Sequence, residues 1–269
     1  MSRFAAILTS DPMLVRCELD RVRPQLELDD KALVIGVGAY DDAVVLQRRY
    51  GAGVPRAELW EVPDSDAVIF HAGSLKVGQS LEDNAQPFRF RQWLFAHLGQ
   101  VDQAERVRDR LLAELPDFLQ RSVRGATLAE VVFGVFLSEL RTLGRTEDPN
   151  LEPAVAAQLL IKAARVVEQA SAGAGGTQKS QQSLVATNGR LLVAARRGGP
   201  LAYSLLEGEP SCKRCGLLGD GKDADPLVRD HRRKRSVVVA THPTRVDAWA
   251  AIPDGGAVAV DRKLAVQVL

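Results

Sequence analysis

The chain has 269 residues, of which 46% are hydrophobic, and its 35 Lys and Arg nearly balance its 34 Asp and Glu. This length and apolar content suffice for one large α/β domain or two small ones with a substantial core. A formal net charge of +1 provides no strong overall field, which disfavours nucleic acid and anionic membranes as partners.

Cysteine content and the N-terminal segment both favour a cytoplasmic protein. Cys17, Cys212 and Cys215 are the cysteines of the chain, and an odd number in a chain of this size argues against a secreted disulfide framework. The apolar run near the N-terminus is too short to span a membrane and lacks a signal-peptide cleavage pattern. Abundant Ala and Arg with few Lys indicate a bacterial source.

The first half of the chain predicts strands followed by helices. Short apolar runs bounded by turn residues predict buried strands at residues 4–8, 32–37, 43–46 and 67–70. Helical spacing follows over residues 103–120, where Pro116 is expected to kink or divide the helix. A second helix is predicted from Thr127, whose hydroxyl and Glu130 form the pattern of a capping box. A third should begin at Pro153 and end near Glu168.

The second half returns to strands. Residues 170–183 are small and polar, and we interpret them as a flexible loop inserted in a single domain that covers residues 1–269. Asn188 and Gly189 then separate two apolar runs and predict a hairpin with a type I′ turn. Further strands are predicted at residues 236–240, 257–260 and 264–268. This order of strands, helices and strands favours helices packed outside a two-sheet core.

Several motifs, in the same order along the chain, resemble those of class II glutamine amidotransferases. The chain opens Met-Ser-Arg-Phe, where the family has Met-Cys-Arg before a strand. His71 begins His-Ala-Gly-Ser, Asn84 begins Asn-Ala-Gln-Pro-Phe, and Gly99 ends Trp-Leu-Phe-Ala-His-Leu-Gly. These segments resemble the family's His-x-Arg, Asn-Thr-x-Pro-Phe and Trp-x-Phe-x-His-Asn-Gly. Gly-Ala-Thr-Leu-Ala-Glu from Gly125 resembles its Gly-x-Thr-Asp-Ser-Glu.

The resemblance implies an α+β fold, the four-layer αββα sandwich of N-terminal-nucleophile hydrolases, with two mainly antiparallel sheets and outer helices. In active relatives the initiator Met is removed, and the exposed Cys attacks glutamine while its own α-amino group serves as the base. The Asn and Gly of His-Asn-Gly form the oxyanion hole. The Arg of His-x-Arg and the Asp of Gly-x-Thr-Asp bind the α-carboxylate and α-amino group of glutamine.

Most of these functional positions carry other residues in this chain. Ser2 occupies the nucleophile position, and Leu98, beside Gly99, replaces the Asn of the oxyanion hole. Gly73 stands where the carboxylate-binding Arg belongs, and Leu128 where the amino-binding Asp belongs. A hydroxyl is a weaker nucleophile than a thiolate, and the other three side chains offer neither charge nor donor.

Two functional hypotheses follow. Asn84 and His97 are retained, and we interpret them as structural residues around a vestigial glutamine pocket. The favoured hypothesis is a catalytically inactive homologue that binds or regulates a protein partner or a small ligand, alone or as a homo-oligomer. The alternative is an active amidotransferase or amidohydrolase that uses Ser2 after removal of Met1.

Cys212 and Cys215 have the spacing of half a zinc knuckle, and no other cofactor is predicted. Two further ligands would be needed, for which His231, Asp220 and His242 are the nearest candidates. A zinc ion shared by two copies, a redox-sensitive thiol pair and two thiols without metal remain alternatives.

The basic run at residues 229–235 can contact phosphates or an acidic protein. We favour a solvated, partly ion-paired entrance to the next strand.

Overall fold

The computed structural model describes residues 2–26, 34–41, 44–51, 58, 60–219, 221 and 224–269. In chain order its strands are β1 (Arg3–Thr9), β2 (Val34–Asp41), β3 (Val44–Gly51), β4 (Ala67–Gly73), β5 (Phe88–Phe90), β6 (Trp93–Gln100), β7 (Gln181–Thr187), β8 (Leu192–Arg197), β9 (Ala202–Leu206), β10 (Ser211–Cys212), β11 (Leu217–Leu218), β12 (Ser236–Ala240), β13 (Ala250–Ala251), β14 (Ala257–Val260) and β15 (Val266–Val268). Its α-helices are α1 (Val15–Leu26), α2 (Leu81–Asn84), α3 (Ala104–Glu114), α4 (Asp117–Gln120), α5 (Leu128–Thr142), α6 (Pro153–Gly173) and α7 (Pro226–Arg233).

Two large antiparallel sheets face each other. The first has the strand order β13-β9-β12-β1-β4-β2-β3 and the second β15-β14-β8-β7-β6-β5. Alternate residues of β1, including Phe4 and Leu8, pack with Leu94 and Ala96 of β6 and Val185 of β7 in the core between the sheets. Period-two burial of this kind is what two stacked sheets require.

Helices cover the outer face of each sheet. The other face of β1, with Ala5 and Ile7, packs against Leu19 of α1. On the far side, Phe95 of β6 contributes to a core that contains the apolar residues of α5 and α6, among them Phe133. The layers are therefore helix, sheet, sheet, helix, and the predicted α+β sandwich of N-terminal-nucleophile hydrolase type is confirmed.

The predicted helices are present with changed details. Leu115 and Pro116 separate α3 from α4, as the sequence predicts, because Pro116 lacks the N–H that would continue the helix. Thr127 caps α5 by accepting a hydrogen bond from the Glu130 N–H at 3.4 Å. The carboxylate of Glu130, however, accepts from the Arg124 and Gly125 amides at 3.0 and 2.7 Å. In a capping box this carboxylate would accept from the Thr127 amide, so the second hydrogen bond of the motif is replaced by bonds to residues earlier in the chain.

The loop predicted at residues 170–183 is shorter in the structure. Helix α6 ends at Gly173 and β7 begins at Gln181, so seven residues, 174–180, connect them. Ser171 donates to the Asp102 carbonyl at 2.9 Å, and the Asp102 carboxylate accepts from the Thr177 amide at 2.9 Å. These hydrogen bonds join the connection to the segment before α3, and its predicted flexibility stays a prediction.

The predicted hairpin is confirmed, but its turn type is wrong. Thr187 pairs with Leu192, which leaves a four-residue connection. Gly189 has a φ of +84°, whereas a type I′ turn also needs a positive φ at the preceding residue, and Asn188 has none. Instead, the Asn188 side chain accepts from the amides of Arg190 and Leu191 and stabilises the longer turn.

Two sequence predictions are tested only in part or change in the structure. Residues 32, 33 and 43 of the predicted strands lie outside the described residues. Most of the basic run belongs to α7, and His231 and Lys234 within it are buried rather than solvated. None of the described helices is long and apolar enough to cross a membrane.

Candidate active site and a cysteine cluster

Strand pairing brings Ser2 beside Gly73. Arg3 lies opposite Ala72 in the β1–β4 ladder, so the residue before β1 meets the last residue of β4. A Cβ atom placed on Gly73 would lie 2.9 Å from Ser2 Oγ and 3.0 Å from His71 Cε1. Ser2 and Gly73 are therefore direct neighbours.

Ser2 opens into a cavity of about 390 Å³. The lining residues are Ser2, Leu98, Gly99, Gln100, Gln181, Gly199, Pro200 and His242. Among these described residues there is no Asp, Glu, Lys or Arg. Burial, together with the nearby positive charge of Arg3, lowers the pKa of His242. A lowered pKa favours the neutral imidazole, so at neutral pH this described lining carries no full charge.

Leu98 and Gly99 lie near the end of β6 and pair with Ser183 and Gln182 of β7. The Leu98 side chain is half-buried and packs against the core between the sheets. A Cβ on Gly99 would lie 2.6 Å from both Cε1 and Nε2 of His97. The absence of a side chain at Gly99 is thus required by the His97 ring, independently of any role in an oxyanion hole.

His97 and His71 are buried close enough to influence each other. Gln86 brackets the His97 backbone, donating to its carbonyl at 2.9 Å and accepting from its amide at 2.6 Å. Burial lowers the pKa of each histidine to about 4, and for His97 the neighbouring His71 contributes further. His97 Nε2 and His71 Nδ1 have no hydrogen-bond partner among the described residues. Both rings are neutral and weakly basic at physiological pH.

Asn84 and Leu128 do not line the Ser2 cavity. Asn84 Nδ2 donates to the Ser80 carbonyl at 3.0 Å and its Oδ1 accepts from the Ala126 amide at 2.8 Å, which joins α2 to the segment before α5. Leu128, the first residue of α5, packs half-buried against the core between the second sheet and its helices. The structure therefore places Ser2, Gly73, Leu98 and Gly99 together, with Asn84 and Leu128 apart from the cavity.

The match that identifies the family extends over most of the chain. The family model described as "Glutamine amidotransferases class-II" matches residues 36–268. The chain belongs to the class II glutamine amidotransferases. The resemblance seen in the sequence motifs is thereby confirmed at the level of the family.

Several solved structures have a similar fold. A glutamine aminotransferase class-II domain protein from Silicibacter pomeroyi is 21% identical, with a TM-score of 0.61 over 99% of this chain and 98% of that one. A predicted glutamine amidotransferase from Pseudomonas aeruginosa is 17% identical, with a TM-score of 0.59 over 100% and 98% of the two chains. Glutamine phosphoribosylpyrophosphate amidotransferase from B. subtilis is 12% identical, with a TM-score of 0.54 over 99% of this chain and 48% of that enzyme. Among curated proteins there is no match.

Several cavity residues were not singled out by the sequence. Gln100 and Gln181 face each other across the β6–β7 ladder and both line the cavity. They lie in segments remote in sequence, and no local motif marks either residue. Only the pairing register places the two amides beside Ser2.

A second group of chemically reactive side chains lies outside this cavity. The ligand atoms of Cys17, Cys212, Cys215 and His231 all lie within 4.8 Å of one another, so these four residues can hold a metal ion. Burial raises the pKa of the Cys17 and Cys215 thiols.

The cluster contains Cys212 and Cys215, as predicted, and His231 from the three candidates for the two further ligands. His242 lies at the Ser2 cavity instead, and Asp220 falls outside the described residues. Cys17 was missed because a cysteine on the apolar face of a helix has the pattern of an ordinary core residue.

Proposed function

We propose that this class II amidotransferase domain does not hydrolyse glutamine and acts in the cytoplasm as a binding or regulatory protein. The observation that carries the proposal is the cavity at Ser2, whose described lining has no side chain of full charge. Free glutamine brings a carboxylate and an ammonium group into its site. Taking either out of water without an opposite charge or several hydrogen bonds is costly.

The chemistry at the reacting carbon supports the same conclusion. Ser2 supplies a hydroxyl where a thiolate would be the stronger nucleophile. Leu98 supplies no donor for the oxyanion, and loss of one such donor costs about 10²–10³ in rate in comparable sites. The retained residues Gly99 and His97 pack against each other, so a structural role is sufficient to explain them.

The cavity itself favours a small neutral ligand. Its volume of about 390 Å³ lies in the usual range for small-molecule sites. Gln100 and Gln181 offer amide donors and acceptors, while Leu98 and Pro200 offer apolar contact. A neutral ligand with its own hydrogen-bonding groups matches this lining better than a free amino acid does. A protein partner that inserts a neutral side chain would use the same contacts.

The test measures ammonia released from glutamine by the full chain, after intact-mass analysis has established whether Met1 is present. We expect no release above the buffer blank. A triple variant, Ser2→Cys, Gly73→Arg and Leu98→Asn, introduces the family's residues at or beside the cavity and is expected to gain activity. The same variant with Ser2 retained is the matched control, since it restores binding groups without the thiolate. Glutamine hydrolysis by the unmodified chain would overturn the proposal.

Ser2 catalysis is the alternative function, and the position of Ser2 in the cavity wall favours it. This mechanism needs a free α-amine on Ser2, because that amine is the base. If ammonia is released, Ser2→Ala must abolish it, and the mass must show that Met1 has been removed.

A further inference from the structure

We propose that Cys17, Cys212, Cys215 and His231 form a structural zinc site. Cys17 Sγ and Cys215 Sγ lie 3.5 Å apart, and no pair of the four ligand atoms is more than 4.8 Å apart. A tetrahedral zinc ion with Zn–S distances of about 2.3 Å separates its sulfur ligands by about 3.8 Å. The cluster therefore has the size of a three-sulfur, one-nitrogen zinc site.

The ligands come from three separate elements on one side of the first sheet. Cys17 lies in α1, and His231 lies in α7. Cys212 ends β10, and Cys215 lies in the turn that leads to β11, in which Gly216 has a φ of +72°. A cysteine pair on a tight hairpin turn, completed by a histidine from a helix, is a typical arrangement of structural zinc sites.

His231 is already oriented as a metal ligand. Its ring is buried and its Nδ1 is 2.8 Å from the Leu227 carbonyl, to which only a protonated Nδ1 can donate. That hydrogen bond fixes the tautomer and leaves a lone pair on Nε2, which is how metal-binding histidines are held by backbone carbonyls. Nε2 is buried and has no hydrogen-bond partner among the described residues. A zinc ion would satisfy it.

The surrounding charges suit an anionic site. Three thiolates and one neutral imidazole around Zn²⁺ carry a net charge of −1. The Lys234 ammonium lies close enough to act electrostatically on Cys215, and it is buried with Glu18, the neighbour of Cys17, at 2.7 Å. Arg21 is 3.9 Å from the other Glu18 oxygen. Together Lys234 and Arg21 balance Glu18 and the excess charge of the site.

Arg214 holds the cysteine turn in place. Its guanidinium lies 2.7 Å from Asp20 of α1 and 3.0 Å from Glu61, so the turn is fastened to α1 at the position between its two cysteines. Four protein ligands leave no position for water or substrate, which is typical of structural rather than catalytic zinc. The ion would join α1, the β10–β11 turn and α7.

Metal content of the full chain is the first measurement. The protein is expressed with zinc in the medium, purified under reducing conditions without chelator, and analysed by elemental mass spectrometry. We expect about one zinc per chain that survives desalting. Cys17→Ser and His231→Gln are expected to lose it, while Lys213→Ser, an exposed residue between the two knuckle cysteines, retains it.

A cobalt titration of the reduced, metal-free wild-type chain keeps the test independent of variant folding. Co²⁺ gives sulfur-to-metal charge-transfer bands whose intensity grows with the number of thiolates. Three thiolates are expected, and the native mass is expected to show the metal in a single chain. Full zinc and unchanged bands in Cys17→Ser would overturn the proposal in favour of a two-cysteine site. Fully reduced wild-type protein that binds neither ion, or a metal shared between two copies, would also overturn it.

Discussion

The sulfur atoms of Cys17 and Cys215 lie 3.5 Å apart although 198 residues separate them along the chain. Arg214, the neighbour of Cys215 in the chain, places its guanidinium 2.7 Å from Asp20 and 3.0 Å from Glu61. Cys17 precedes Asp20 by nearly one helical turn, so the ion pairs and the thiol contact lie side by side.

Oxidation should therefore select this pair. In the metal-free protein, mild oxidation is expected to link Cys17 to Cys215, because these thiols are in contact in the folded chain. The reaction should be slower than that of an exposed thiol pair, because the pKa of each thiol is raised and less thiolate is present. Peptide mapping by mass spectrometry under non-reducing conditions identifies the linkage. Arg214→Met is expected to lower its yield. A dominant link between Cys212 and Cys215 would contradict the expectation.

The buried pair of Lys234 and Glu18 gives a stability prediction. The Nζ to Oε1 distance is 2.7 Å and both side chains are at most 1% exposed. Lys234→Met leaves the Glu18 carboxylate buried without its main partner, so the free energy of unfolding should fall by about 3–5 kcal/mol. Urea unfolding measures the change. The double variant with Glu18→Gln should recover part of the loss. A single variant as stable as the wild type would show that the pair is not buried in solution.

His71 and His97 predict that stability falls in mild acid. Burial holds both folded-state pKa values at about 4, below the unfolded value of about 6.5. The unfolded chain then binds more protons between these values, so stability is complete above about pH 6.5 and is lost as the pH falls toward 4. Between about pH 7 and pH 5 each histidine should lower the free energy of unfolding by about 2 kcal/mol.

Urea unfolding at both pH values measures how far the free energy of unfolding falls between them. This decrease should be smaller in a His71→Gln and His97→Gln double variant. An equal decrease in the double variant and the wild type would show that these rings do not cause the pH dependence of stability.

Gly36 predicts a strong effect of a single methyl group. A Cβ on Gly36 would lie 1.7 Å from the Gln86 carbonyl oxygen, whereas a Cβ on Gly51 would meet nothing within 4 Å. Gly36→Ala must therefore shift backbone and is expected to destabilise by about 3 kcal/mol or to abolish folding. Gly51→Ala, the matched control, should change the free energy of unfolding by less than about 0.5 kcal/mol. Thermal unfolding compares the two variants, and equal midpoints would contradict the close contact between Gly36 and the Gln86 carbonyl.

The sequence predicted those parts of the fold that depend on short-range patterns. The strands β1, β4, β12 and β14 are buried on both faces, so each appears in the sequence as a short continuous apolar run, and such a run is visible without knowing what covers either face. The break at Pro116 follows from the chemistry of one residue. By contrast, the hydrogen bond from the Gly125 amide to the Glu130 carboxylate depends on the conformation of the loop before α5. The capping pattern contains no information about that loop.

The sequence by itself determined the family, because its motifs occur in the family's order, and it predicted that Ser2, Gly73, Leu98 and Leu128 stand at functional positions of that family. Only the tertiary structure decided which residues share a site. It placed Gln100 and Gln181 in the Ser2 cavity and Leu128 away from it, and it brought Cys17 to the cysteine turn. The physical reason is that strand register and helix docking depend on packing of the whole core, so contacts between remote residues have no local signal.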